Sequence, residues 1–266
     1  MLKTRILSAL VGIPLIIFFI WRDGWFCRGL FLLIGLGIVK EMQNIISKRG
    51  VSNFKILPYV LFIIIFFAPI LDVYANLSVV LFLLLTSLVF VIAYPGTDMK
   101  DMALCFWMPV YAGFLLSYIL KIQFLNSSFY LLLLTFIITW CSDIGGYIFG
   151  RLLGKHKLAP RLSPKKTWEG CLGCLFLTVL GCVLFNFFAA GLIFNYSYAY
   201  AVVLGVTGSM AAQLGDLMIS GVKRTFKVKD SGSLIPGHGG VLDRFDSFLL
   251  VLPVVYYFYM FINLEF

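Results

Sequence analysis

The chain has 266 residues, of which 61% are hydrophobic and 12% are charged, and its mean hydropathy is +1.00. Soluble domains have roughly 25% charged residues, so this composition excludes a soluble globular protein and indicates an integral membrane protein. The net charge of +9 is typical of proteins that meet anionic lipid headgroups or a phosphorylated substrate, although basic residues also set membrane topology.

Nine apolar segments follow one another along the chain, and most approach the roughly 18–20 residues that cross a bilayer. No small-x-small cleavage site precedes Arg22, so the first segment is predicted to be an uncleaved span. We therefore predict an all-α polytopic membrane helical bundle of about nine transmembrane helices. It would form one integral membrane domain, 1–266, with N-terminal helices in 1–126 and the site-bearing helices and loops in 127–266. The segments are 5–21, 25–45, 55–71, 77–94, 102–120, 127–149, 168–190, 199–219 and 247–263.

The distribution of basic residues predicts the orientation of these spans. If the N-terminus is cytoplasmic, every lysine and arginine except Arg22, Arg28 and Lys121 falls on the cytoplasmic side. Cytoplasmic loops carry an excess of positive charge, and adding or losing one span would scramble this pattern. We therefore expect a cytoplasmic N-terminus and an odd number of spans.

The six cysteines all lie in or beside apolar segments. Cys171-x-x-Cys174 has redox or zinc spacing, but no second Cys or His pair accompanies it. We predict neither a disulfide nor a zinc site.

Asp143 lies near the end of the sixth apolar segment, and a basic stretch follows that segment. The glycines of the D-I-G-G-Y sequence that begins at Asp143 allow close backbone packing, which favours the wall of a site. Ser163-Pro164 is typical of a turn or helix start, and Lys165 and Lys166 come directly after it. On charge alone, this stretch could equally be an ordinary positive-inside loop.

The stretch between the last two apolar segments, Ser220 to Asp246, is 27 residues long and carries cations, three carboxylates and a glycine-rich turn around His238. Glycines there let the backbone approach a phosphate and offer N–H donors. The composition predicts a site for a polyanion and a divalent metal. Its charged residues are Lys223, Arg224, Lys227, Lys229, Asp230, Asp243, Arg244 and Asp246.

Two of these carboxylates, Asp243 and Asp246, are three residues apart and lie on one face if a helix has begun there. Asp216, near the end of the preceding apolar segment, could reach the same ion. Hard oxygen ligands in small number suit Mg²⁺. In the alternative interpretation, Asp243, Asp246 and Ser247 only cap the last helix and favour its positive end.

The whole stretch resembles the signature of the phosphatidate cytidylyltransferase (CDP-diacylglycerol synthase) family. The resemblance extends to L-K-T-R-I-L-S-A-L at the start, S-P-K-K-T-W-E-G from Ser163 and Q-L-G-D-L from Gln213. The fixed positions of the signature are occupied by Ser220, Lys223, Arg224, Lys229, Asp230, Gly232, Ile235, Pro236, His238, Gly239, Gly240, Asp243, Arg244 and Asp246.

The resemblance implies the reaction of CTP with phosphatidate to give CDP-diacylglycerol and pyrophosphate. It implies Mg²⁺, with a monovalent cation such as K⁺ as a second ion, bound by Asp216, Asp243 and Asp246, and it makes these three with Lys223 and Arg224 the catalytic set. The implied substrate-binding residues are Asp143, Ser163, Lys165, Lys166, Lys229, Asp230, His238, Gly239, Gly240 and Arg244.

CTP, phosphatidic acid and membrane lipids are the expected partners, and nucleic acid is not. The oligomeric state is left open, with a homodimer as one option. We expect an inner (plasma) membrane protein of a bacterial cell whose site faces the cytoplasm.

Two other classes of function share this setting. A CTP-dependent polyprenol or other lipid kinase would transfer the γ-phosphate and release CDP. A transporter would also place carboxylates in helices, but near the membrane midplane and beside broken helices. The product released from CTP separates the three.

Overall fold

The structure is a computed structural model that describes residues 2–48, 54–93, 99–189, 193, 197–234 and 239–263. Helices dominate it. The α-helices are α1 (Leu2–Arg22), α2 (Gly24–Ser47), α3 (Leu57–Phe67), α4 (Ala75–Ala93), α5 (Met99–Pro109), α6 (Leu115–Gln123), α7 (Ser128–Leu152), α8 (Trp168–Phe188), α9 (Tyr198–Thr225) and α10 (Leu242–Ile262), and the strands are β1 (Lys157–Ala159) and β2 (Ser163–Thr167).

Six helical segments of the described residues are long and apolar enough to cross a membrane by length and composition. They are Gly24–Ser47, Lys100–Gln123, Ser128–Leu152, Trp168–Phe188, Tyr198–Thr225 and Leu242–Ile262. Leu10–Arg22 and Leu57–Leu71 are shorter apolar helices. The predicted all-α membrane bundle is confirmed, while the count of nine spans and the cytoplasmic N-terminus stay predictions.

One of the six segments is assembled from two α-helices and a π-helical turn between them. Helix α5 ends at Pro109, and the π-helical turn Val110–Phe114 joins it to α6. Proline has no N–H to donate to the preceding turn, and the wider π-helical turn follows it directly. The result is one continuous apolar helix through Lys100–Gln123.

The chain divides into two compact units. The first unit combines Met1–Gln123 with Phe226–Asp243, and the second combines Phe124–Thr225 with Arg244–Phe266. The predicted division at residue 126 lies close to Gln123, but the stretch from Phe226 to Asp243 belongs with the N-terminal helices. Helix α10 therefore starts in the first unit and continues in the second.

The second unit is built on close contact between the backbones of α7, α8 and α9. A Cβ atom added at Gly173 of α8 would lie 2.8 Å from the carbonyl oxygen of Gly145 in α7. One added at Gly205 of α9 would lie 2.7 Å from Val179 Cα in α8. Helices in lipid associate through such small residues, because close backbone approach maximises van der Waals contact.

A short hairpin precedes α8 in the same unit, and sequence analysis did not predict it. Strands β1 and β2 are antiparallel, with Lys157 opposite Thr167 and Ala159 opposite Ser163. The predicted turn or helix start at Ser163-Pro164 is wrong, because these residues open β2. The strand passes straight into α8, where Thr167 Oγ1 accepts a hydrogen bond from Gly170 N at 3.1 Å and caps the helix.

Candidate functional site

The predicted site residues are spread over three helices, one strand and one loop. His238 lies outside the described residues. Asp143 is on α7; Ser163, Lys165 and Lys166 are on β2; Asp216, Lys223 and Arg224 are on α9; Lys229, Asp230, Gly239 and Gly240 are in the loop 226–241; and Asp243, Arg244 and Asp246 are on α10.

An ion pair in the second unit joins β2 to α9. Lys166 Nζ lies 2.8 Å from Asp216 Oδ2, and both side chains are partly buried. Ser220, one turn along α9, lies with its Oγ 3.3 Å from Asp216 Oδ1 and donates a hydrogen bond to it. The Lys166 nitrogen is buried and makes no well-formed hydrogen bond within the described residues. An ammonium has three donors, so Lys166 can also bind an anionic oxygen.

A second carboxylate, Asp143 of α7, belongs to the same neighbourhood. It interacts electrostatically with Asp216, Arg244 and Lys166. Its side chain is exposed. Asp143 is therefore both close to the ion pair and accessible.

The third carboxylate, Asp246 of α10, is buried, with 9% of its surface exposed. It interacts electrostatically with Asp216, Asp143 and Lys223, and its Oδ1 accepts a hydrogen bond from Ser247 N at 2.7 Å. Like charges gathered in a partly buried place repel each other unless cations or donors compensate them. We call Asp143, Asp216 and Asp246 the acidic cluster.

A glycine explains how α9 and α10 bring two members of this cluster together. A Cβ atom at Gly215 would collide with the carbonyl oxygen of Asp246 and lie 3.1 Å from Ser247 Cα. Only glycine lets the two helices approach this closely. Because Asp216 follows Gly215 directly, the crossing point places Asp216 beside Asp246.

The basic residues at the end of α9 have local partners. Lys223 and Arg224 lie in its last turn, where positive charge is favourable for the helix dipole. Arg224 Nε donates a hydrogen bond to the carbonyl oxygen of Leu162 at 3.1 Å. Arg224 thus ties the end of α9 to the residue just before β2, the strand that carries Lys166.

Glu169 anchors the other side of the hairpin, and sequence analysis did not single it out. It accepts hydrogen bonds from Lys155 N at 3.1 Å and His156 N at 3.3 Å. Its Oε1 also lies 2.6 Å from His156 Nδ1. Glu169 holds the segment after α7 against the first turn of α8. Its position within the S-P-K-K-T-W-E-G motif was the feature of the sequence that could have pointed to Glu169.

In the first unit, Asp243 organises the end of the signature loop. Its Oδ2 accepts hydrogen bonds from Ser231 N and Ser231 Oγ, both at 2.8 Å, and from Gly240 N at 3.1 Å. Gly239 has a φ of +83°, which favours glycine. These bonds fix the orientation of the Asp243 carboxylate, whose role as a metal ligand stays a prediction.

Sequence analysis missed Glu41 of α2, a buried acidic residue of this unit, of which 3% is exposed. It accepts hydrogen bonds from Val241 N at 2.8 Å and Leu242 N at 2.9 Å, and its Oε2 lies 2.9 Å from Ser231 Oγ, whose single proton is shared with Asp243. Its partners lie between 190 and 201 positions further along the chain. An acidic residue among the apolar residues of 25–45 was the only available signal.

The chemistry of the acidic cluster is compatible with a hard cation. Asp143, Asp216 and Asp246 offer carboxylate oxygens, which Mg²⁺ prefers. Over the described part of the chain, no group of three or more His, Cys, Asp or Glu side chains is arranged so that it could by itself hold a metal ion. Mg²⁺ commonly uses one or two protein carboxylates and completes its shell with water and phosphate oxygens.

Comparison with known proteins extends over nearly the whole chain. The sequence profile of the Cytidylyltransferase family matches residues 3–262. A phosphatidate cytidylyltransferase of Staphylococcus saprophyticus is 43% identical over 155 residues, which is 58% of each chain. Proteins of the same name from Staphylococcus haemolyticus and Staphylococcus aureus are 33% and 32% identical over 258 and 260 residues, which cover 96% of this chain and 97% of each relative. The chain thus belongs to the cytidylyltransferase family.

Proposed function

We propose that this protein is an enzyme that transfers the cytidylyl group of CTP to phosphatidate, giving CDP-diacylglycerol and pyrophosphate for phospholipid synthesis. The observation that carries the proposal is the acidic cluster beside the Lys166 ammonium, in a chain whose family match runs from residue 3 to residue 262. Relatives that align with almost all of the chain bear the name phosphatidate cytidylyltransferase.

The chemistry needs alignment and charge compensation more than proton transfer. A phosphate oxygen of phosphatidate attacks the α-phosphorus of CTP, and the bond to the bridging oxygen of pyrophosphate breaks. The nucleophile is already anionic near neutral pH, so no strong general base is required. The protein must hold two anions together and stabilise the charge that develops on the departing pyrophosphate.

Lys166 is well placed to compensate the negative charge of the substrates. Its buried ammonium touches Asp216 and has further donors for a phosphate oxygen. Lys223 is within electrostatic reach of Asp246, and Arg244 within that of Asp143, so both add positive charge at the cluster. Arg224 stays a predicted catalytic residue. The remaining predicted substrate-binding residues are Ser163, Lys165, Lys229, Asp230, His238, Gly239 and Gly240.

Asp216 and Asp246 are the residues that we propose for Mg²⁺, with Asp143 supporting them. Asp243 remains the third predicted ligand, and a monovalent cation such as K⁺ the predicted second ion. A bound divalent ion neutralises phosphate charge and stabilises the pyrophosphate leaving group. The chain's own part is to keep the two carboxylates close, through Gly215, and to hold Asp216 in place with Ser220.

The proposal includes a bacterial inner (plasma) membrane location and nine spans with a cytoplasmic N-terminus. Under that topology the acidic cluster faces the cytoplasm, where CTP is found, and most basic residues lie on the same side. The homodimer stays a prediction.

Product analysis tests the function directly. Purified protein in detergent is incubated with phosphatidate, Mg²⁺ and CTP labelled at either the α- or the γ-phosphate. We expect α-label to enter the lipid and γ-label to leave as pyrophosphate. Transfer of γ-label to lipid with release of CDP would instead establish a lipid kinase. Intact CTP under all conditions would support the transporter interpretation.

A further inference from the structure

Glu41 is almost completely buried: 3% of its surface is exposed, on a largely apolar helix. A buried carboxylate is costly unless donors surround it. Glu41 has two backbone donors of its own, Val241 N and Leu242 N at the start of α10, and it shares the single proton of the Ser231 hydroxyl with Asp243. The carboxylate is therefore matched to one particular turn of the chain.

The first turn of α10 has backbone N–H groups that no side chain of the preceding residue can accept. The first N–H groups of a helix have no acceptor within the helix, and a Ser, Thr, Asp or Asn at the preceding position usually supplies one. Helix α10 begins at Leu242, and the preceding residue is Val241, whose side chain has no oxygen. Glu41, from a helix near the other end of the sequence, supplies an acceptor for Leu242 N, the first N–H of the helix, and for Val241 N just before it.

Two signature glycines make room for this carboxylate. A Cβ atom at Gly232 would lie 2.6 Å from Glu41 Oε1. One at Gly240 would collide with Glu41 Oε2 and Ser231 Oγ. The glycines at these positions are thus explained by packing against Glu41.

Ser231 connects Glu41 to Asp243. Its hydroxyl oxygen lies 2.9 Å from Glu41 Oε2 and 2.8 Å from Asp243 Oδ2. The other two donors to Asp243 Oδ2 are the backbone N–H groups of Ser231 and Gly240, which belong to the same loop. A shift of the loop away from Glu41 would therefore change the orientation of the Asp243 carboxylate.

We propose that Glu41 is a positioning residue: it caps the first turn of α10 from a distance and, through Ser231, sets the Asp243 carboxylate for the reaction. The catalytic part of this inference rests on the proposed function, whereas the capping part does not. Removal of the charge of Glu41 should loosen the turn and lower turnover. Substitution of a residue that orients a site residue typically lowers activity about 10–100-fold.

The test compares Glu41→Gln with wild type by hydrogen–deuterium exchange and by steady-state kinetics. Gln keeps the size but replaces one acceptor oxygen with a donor. We expect faster exchange in peptides covering residues 240–245, and a kcat lowered about 10–100-fold with a KM for CTP within about threefold. Asp101→Asn is the control, because it neutralises an acid on α5 of the same unit, and it should change neither readout.

A second variant keeps the proposal testable if Glu41→Gln does not fold. Ser231→Ala removes only the hydroxyl that joins the two carboxylates and leaves the bonds from Glu41 to Val241 N and Leu242 N. It should lower kcat without faster exchange at residues 241 and 242. Wild-type exchange and a kcat within twofold in Glu41→Gln, or an unchanged kcat in Ser231→Ala where Glu41→Gln cannot be purified, would overturn the proposal. Exchange needs no turnover, so a failure of the proposed function would not obscure the capping result.

Discussion

Asp216 has contacts on both of its carboxylate oxygens, with Lys166 on Oδ2 and Ser220 on Oδ1. It therefore combines two tasks that sequence analysis could not separate. It holds the end of strand β2 through Lys166, and it belongs to the acidic cluster proposed for a cation. A substitution that removes only the charge distinguishes these tasks from a general effect on the fold.

We predict that Asp216→Asn lowers the initial rate of CDP-diacylglycerol formation by about 10²-fold or more. The reason is the loss of electrostatic stabilisation in the transition state, while the near-identical shape of Asn preserves the helix. Rates are measured on purified protein at limiting Mg²⁺, and Asp101→Asn serves as the control. Wild-type activity of Asp216→Asn under these conditions would remove Asp216 from the site.

Arg224 and Lys223 have two competing interpretations, a phosphate clamp and a topology signal. Exchanging arginine for lysine, or lysine for arginine, separates the two interpretations. Membrane topology depends only on the positive charge, whereas a phosphate clamp depends on the geometry of the cationic group. Arg224→Lys also loses the Nε–H bond to Leu162. We predict normal membrane insertion and a fall in kcat/KM that corresponds to about 1–3 kcal/mol.

Steady-state kinetics with CTP and phosphatidate varied in turn provide the measurement, and Lys223→Arg is the companion variant. If both variants stay within twofold of wild type, the clamp interpretation is withdrawn and the two residues return to the positive-inside rule.

At the scale of whole elements, glycines determine where the helices of the second unit meet. Gly145, Gly173 and Gly205 permit the contacts among α7, α8 and α9, and Gly215 permits the crossing of α9 and α10. Each carboxylate of the acidic cluster lies on one of the helices joined in this way. The geometry of the site therefore depends on residues that have no functional group.

We predict that Gly173→Ala destabilises the protein by about 1–3 kcal/mol, because the added methyl group meets Phe149 Cβ and the Gly145 carbonyl oxygen. Unfolding is followed in detergent by temperature or denaturant. Gly29→Ala is the matched control: it is also in a helix, and a Cβ there meets nothing within 4 Å. Equal stability of the two variants would contradict the close contact of α7 and α8.

At the scale of the whole molecule, the orientation in the membrane is the prediction with the widest consequences. Ser231 lies in the signature loop but is buried, whereas Ser233 is exposed. A cysteine introduced at Ser233 should react with an impermeant thiol reagent only from the cytoplasmic side. A cysteine at Asn126, exposed between α6 and α7, should react from outside.

Labelling in intact cells is compared with labelling in opened membranes, and wild type reports on its native cysteines. Reaction of the Ser233→Cys variant in intact cells would reverse the proposed topology, and with it the cytoplasmic position of the site.

Much of this protein could be predicted from the sequence, because the relevant signals are local. A bilayer demands long apolar helices, so composition alone indicates the all-α membrane class. The order of motif residues from Ser220 to Asp246 identifies the family. Asp143, Asp216, Asp243 and Asp246 could be assigned to one task, together with Asp230 of the loop, because carboxylates at membrane depth are rare and costly.

Only the tertiary structure decided which of these residues meet. The pairing of Lys166 with Asp216, the tie between Arg224 and Leu162, and the capping of α10 by Glu41 join positions far apart in the chain. Such contacts depend on how backbones approach at glycines such as Gly215, and no periodicity records that approach. The hairpin of β1 and β2 was missed for a related reason: its cap and anchors are made after folding, by Thr167 and Glu169.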